Sequence, residues 1–66
     1  MMVAIEPKVN AEGRYSLQEA SDLLGVHRTT LLRWVNEGKI RYGIRRSNSR
    51  RFYLGREILR FWRAEI

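Results

Sequence analysis

Apolar residues first recur at helical spacing from Leu17 onward, with Leu17, Ala20, Leu23 and Leu24 on one face of a helix over about 16–24. Ser16-Leu17-Gln18-Glu19 has the capping-box pattern that satisfies two early backbone N–H groups, and Gly25 ends the helix. Tyr15 stands where a hydrophobic staple would. A second helical pattern over about 28–37 places Leu31, Trp34 and Val35 together, with Gly38 just past its end. Thr29, Arg33 and Asn36 fall on the opposite face, with Arg28 and Leu32 at its edges. The period then changes to two. Ile40, Tyr42 and Ile44 alternate with Arg41, Gly43 and Arg45, and Arg50 to Leu54 read as a return strand. A hairpin over about 40–54 follows, turning at Arg46-Ser47-Asn48-Ser49, where Asn48 can take a left-handed backbone. A last helix over about 55–64 places Ile58, Leu59 and Trp62 on the core and Phe61 at the edge. It closes the core; a sticky patch of Phe61 and Ile66 is the alternative. Residues 1–14 are turn-prone and short of apolar runs, which predicts a flexible N-terminal arm ahead of a folded domain over 15–66.

A chain of 66 residues makes one small domain, whose marginal core must draw on its two Trp, three Tyr and two Phe. Without cysteine, neither a disulfide nor a zinc–thiolate site can add stability, and the single His leaves no metal site. One His, one Asp, no Cys and no glycine-rich phosphate loop give no catalytic set, so neither an enzyme nor a cofactor is expected. No apolar run approaches the ~18 residues of a membrane span, so a cytoplasmic protein is the expectation.

The formal charge of +6 is unevenly placed. Residues 1–37 carry four Lys/Arg against five Asp/Glu, whereas residues 38–56 carry seven basic side chains and no acid. Eleven of the thirteen basic residues are Arg, whose planar fork suits phosphate and guanine. A solvated basic face would also account for the charge, and the short Gly-containing turn at 25–27 fits a plain helical hairpin as well as a helix-turn-helix. The acid-free outer face of the second helix moves the reading toward double-stranded DNA, with that helix in the major groove and the hairpin as a basic wing. RNA readers display stacking aromatics on a sheet, and the aromatics here are expected in the core. A protein-interaction module that has lost DNA reading is the alternative of another class.

Ser16 to Val26, Thr29-Thr30-Leu31, Arg33-Trp34, Glu37-Gly38-Lys39-Ile40, Arg50-Arg51-Phe52 and Glu57-Ile58-Leu59 together resemble the MerR-like winged helix-turn-helix family. The resemblance covers about residues 15–62 and is nearest to the small excisionase-type branch. It implies a mainly α fold with a β-hairpin wing, Arg28, Thr29, Leu32 and Arg33 facing the major groove, and Arg50 and Arg51 holding the wing to the backbone. Asn36 on the same helix face, Arg45, Arg46, Ser47 and Asn48 around the wing tip, and His27, Lys39 and Arg41 complete the candidate contacts. Three positions depart from the family pattern. His27 replaces a small capping residue, and it can cap, touch a phosphate or have no special role. Leu32 replaces a polar or aromatic residue, and the wing tip lacks the glycines of relatives. Full-length MerR regulators continue into a coiled coil and a sensor domain, for which residues 63–66 are too short. The expectation is therefore a monomer in solution that binds either as a monomer or as DNA-ordered head-to-tail neighbours, the latter bending DNA for an integrase as an excisionase must, in the nucleoid of a bacterial host. A small transcriptional repressor of a phage or mobile element is the alternative.

Overall fold

Tyr53 is completely buried, and the strand that carries it is the middle of a three-stranded antiparallel sheet. The computed structural model describes residues 3–65. Along the chain run β1 (Arg14–Tyr15), α1 (Leu17–Leu24), α2 (Arg28–Asn36), β2 (Gly43–Ile44), β3 (Arg51–Leu54) and α3 (Gly55–Glu65). The sheet order is β1-β3-β2, with Tyr15 opposite Tyr53, and Gly43 and Ile44 opposite Phe52 and Arg51. Ala20, Leu24, Leu31, Val35, Ile40, Ile58 and Phe61 join Tyr53 in the core that the three helices and the sheet share. This is a winged helix-turn-helix domain, mostly helical, with β2 and β3 as the wing.

Local chemistry sets the angle between the first two helices. Ser16 Oγ accepts from Glu19 N–H at 3.1 Å while Glu19 Oε1 accepts from Ser16 N–H at 2.9 Å, so both halves of the capping box form. At the other end Gly25 takes φ 72°, and its N–H together with that of Val26 donates back to Asp22 and Ser21 carbonyls. A left-handed residue here reverses the chain in three residues, and α2 begins at Arg28. Trp34 of α2 then meets Phe61 of α3 with ring centroids 5.0 Å apart, tying the second helix to the third.

Four features differ from the sequence expectations. The first wing strand is two residues long, because Gly38 (φ 76°) reverses the chain and Ile40 turns inward to the core instead of alternating with Tyr42 and Ile44. Tyr42 and Ile44 are left exposed, at 43% and 58%, so not every large apolar side chain is committed to the core. At the wing tip Ser49, not Asn48, takes the positive φ (57°). Asn48 instead accepts the Arg50 N–H through its side chain at 3.0 Å, closing the turn without a left-handed backbone of its own. On α3, Phe61 is buried rather than marginal, since it lies one turn beyond Ile58 and faces Trp34. Ile66, its partner in the alternative patch, lies outside the described residues.

The segment before the domain is the fourth difference. Residues 3–13, expected as a flexible arm, lie across the fold as a strap. Gly55 N–H and Arg56 N–H, the first of α3, donate to the carbonyls of Gly13 and Ala11, both at 3.0 Å. Val3 donates to Leu24 C=O and accepts the Trp62 indole N–H, each at 2.9 Å. Pro7 is buried, and Arg63 pairs with Glu6 at 3.2 Å. Most of these bonds use backbone carbonyls, which any residue supplies, so side-chain pattern is blind to them. No helix among the described residues is long and apolar enough to cross a membrane.

Candidate nucleic-acid interface

The second helix presents its polar side outward as a consequence of its packing. Leu31 and Val35 are buried, which rotates Thr29, Arg33 and Asn36 into solvent, with Arg28 exposed at the first turn and Leu32 half-buried at the margin. His27 is the N-cap. Its Nδ1 accepts from Thr29 N–H at 3.2 Å and lies 2.8 Å from Thr29 Oγ1. The imidazole thus does the work of the small polar residue usual at this position, and it also fixes the Thr29 side chain.

The wing brings its arginines beside this helix. β3 alternates, so Arg51 and Tyr53 project from one face of the sheet, the face on which the helices pack. Arg28, Arg50 and Arg51 consequently line one open cleft of about 470 Å³ together with residues 16–18 at the start of α1 and with Tyr53. Arg45 and Asn48 join Arg50 and Arg51 in a smaller hollow beside Ser16 and Glu19. On the other face of the wing, Arg45, Arg46 and Ser47 gather with Arg14, whose guanidinium lies 4.6 Å over the Phe52 ring. Arg51 stacks similarly on Tyr42 at 4.7 Å.

Among the described residues, the ion pairs are Lys39–Glu37 and Arg63–Glu6, so the arginines of α2 and the wing have no acidic partner. That leaves their charge for an external anion. Two candidates sit elsewhere. Lys39 and Arg41 line a groove against α3 with Glu57 and Arg60, away from the cleft at Arg28, and Lys39 is 3.6 Å from Glu37. Three residues that the sequence pattern did not single out belong to the basic surface: Arg14, which the pattern assigns to the arm, and Ser16 and Tyr53, assigned to structure alone. The Arg14-Tyr15 pair just before the capping box is the sole trace of β1, too short to reveal a strand. No group of three metal-ligating side chains occurs among the described residues.

No curated protein and no solved structure matches the chain. A family model described as a helix-turn-helix domain matches residues 14–65, from β1 to the end of α3. Its span takes in both helices of the turn, the wing and the closing helix, and the chain belongs to that helix-turn-helix domain family.

Proposed function

We propose that this domain binds double-stranded DNA sequence-specifically, with α2 in the major groove and the wing on the phosphate backbone. The observation that carries this is the meeting of two acid-free basic surfaces, the outer face of α2 and the wing, in one cleft where Arg28, Arg50 and Arg51 converge. Thr29, Leu32, Arg33 and Asn36 supply hydrogen-bonding and apolar groups at the spacing of base edges. Leu32 suits a thymine methyl, and Arg33 a guanine. Arg45, Arg46, Ser47 and Asn48 at the wing tip reach backbone or the adjacent minor groove. His27 positions Thr29 through its cap, and Lys39 and Arg41 add charge at a distance.

Within this reading, the resemblance to the excisionase-type MerR-like branch favours an architectural factor of site-specific recombination that bends attachment-site DNA, with protomers ordered head to tail beside an integrase. The alternative is a transcriptional repressor of a mobile element. A mobility-shift titration on the attachment site and on the promoter of the same genetic element separates them. A ladder of cooperative, bent complexes on the attachment site is the expected result. A single tight shift confined to the promoter overturns the recombination role. If replacing Arg45, Arg46, Arg50 and Arg51 by Ala leaves the domain's task intact, the reading becomes a protein-interaction module.

A further inference from the structure

The capping box leaves part of the first turn of α1 unsatisfied. Ser16 and Glu19 serve each other's N–H groups, and Ala20 N–H donates to Ser16 C=O. The N–H groups of Leu17 and Gln18 find no acceptor among the described residues, as the opening of a helix leaves them. The residues that carry these two donors line the same cleft as Arg28, Arg50 and Arg51. A second orphan lies there. Tyr53 is 0% exposed, and its hydroxyl has no partner of full hydrogen-bond geometry, the Arg51 guanidinium being close enough only to act on it electrostatically and as a poorly aligned donor. A buried hydroxyl left alone costs stability that a phenylalanine of nearly the same shape would not. Burial raises the Tyr53 phenol above its ordinary pKa, and the Arg51 guanidinium beside it pulls the other way. The hydroxyl is therefore a neutral donor placed next to a cation.

We propose that this cleft seats one phosphate of the DNA backbone, held by Arg28, Arg51 and the first N–H groups of α1 with the Tyr53 hydroxyl at its floor. Arg28 is then a backbone anchor rather than a base reader, unlike Arg33. The inference rests on the DNA-binding reading and assigns a role that side-chain spacing on α2 does not suggest. The geometry favours an anion for three reasons. All the charged groups lining the cleft are cationic, and none of them is ion-paired. The nearest acid, Glu19, is turned to the Ser16 N–H. A helix N-terminus adds partial positive charge to the same point.

The test uses the whole chain and a duplex selected from a randomised pool, with single methylphosphonates placed in turn along each strand. Neutralising one particular phosphate should weaken the wild type about tenfold, the loss of a charge-assisted contact, and weaken Arg28→Ala measurably less, because Arg51 and the α1 N–H groups still hold that phosphate. Arg28→Ala should weaken selected and scrambled duplexes by the same factor. Tyr53→Phe should weaken both several-fold while raising the melting temperature of the free protein, opposite movements that a packing role alone would not produce. The proposal is overturned if Arg28→Ala changes the preferred base at one position while responding to every methylphosphonate as the wild type does. It is equally overturned if Tyr53→Phe leaves affinity unchanged. If no duplex is enriched from the pool, or single-stranded RNA is bound in preference, the DNA-binding reading itself fails, a result distinct from either of these.

Discussion

Arg33 and the wing arginines carry the same charge, but under the proposed DNA-binding reading they would answer to different parts of DNA. Arg33 projects from the exposed middle of α2, one turn from Thr29 and near Asn36, where a bidentate contact to guanine is sterically open. Arg33→Ala is expected to cost about 1–3 kcal/mol of binding and to relax discrimination at one base pair. Arg50→Ala should instead weaken all sequences alike. Equal losses on specific and random duplex for Arg33→Ala would remove it from base reading. His27 makes a prediction about stability. Its imidazole caps α2 through a 3.2 Å bond, longer than the usual N–H···O distance, and Asn is among the strongest N-caps. His27→Asn should therefore raise unfolding free energy by about 0.5 kcal/mol, and His27→Ala lower it by about 0.5–1 kcal/mol, read from urea denaturation midpoints. At this scale the helix faces were legible, because 3.6-residue periodicity assigns Leu31, Val35, Thr29 and Arg33 to sides without reference to the rest of the chain. The role of Tyr53 was not, since nothing local tells whether a buried hydroxyl finds a partner.

The elements themselves divide by how local their causes are. α1 and the turn after it follow from Ser16, Glu19 and Gly25, three residues whose chemistry acts within one or two turns. α3 has a different support. Its first N–H groups are held by carbonyls of Gly13 and Ala11, and a Cβ on Gly55 would lie 2.0 Å from the Asn10 carbonyl oxygen. Ordinarily Gly→Ala in a helix stabilises by about 0.5–1 kcal/mol. Here the obstacle is backbone rather than a flexible side-chain end, so Gly55→Ala is expected to cost about 1–3 kcal/mol and to make residues 3–13 more susceptible to protease. A gain in stability would mean that the strap does not bear on Gly55. Gly43 in the wing differs, because a Cβ there would meet the Phe52 ring, the end of a side chain, so that the ring and not the backbone would have to give way. Alternation from Ile40 to Ile44 suggested a longer strand, and the demand of the core for Ile40 overrode it.

Across the whole molecule, charge separation decides where a polyanion can sit. α2 and the wing form a surface of unpaired arginines, while the strap and α3 place Glu6 and Glu57 elsewhere, Glu6 already paired with Arg63. If about six phosphates are neutralised, log K should fall against log salt with a slope of roughly −5, and removing Arg51 should reduce that slope by about one unit. A slope near zero in a titration between low and moderate salt would rule out this electrostatic footprint. The longest dimension is 35 Å, about one turn of DNA. A hydroxyl-radical footprint of a single complex should then not exceed about one turn, and longer protection requires further protomers. The fold class, the two faces of α2 and the concentration of charge in residues 38–56 were determined by the sequence alone, because periodicity, capping and charge are properties of neighbours along the chain. Only the tertiary structure decided that residues 3–13 strap α3, that Arg14 joins the wing, and that Arg28, Arg51 and Tyr53 share one cleft with the start of α1. Those arrangements join residues far apart in sequence through backbone carbonyls and strand pairing, and neither leaves a mark on the side-chain pattern.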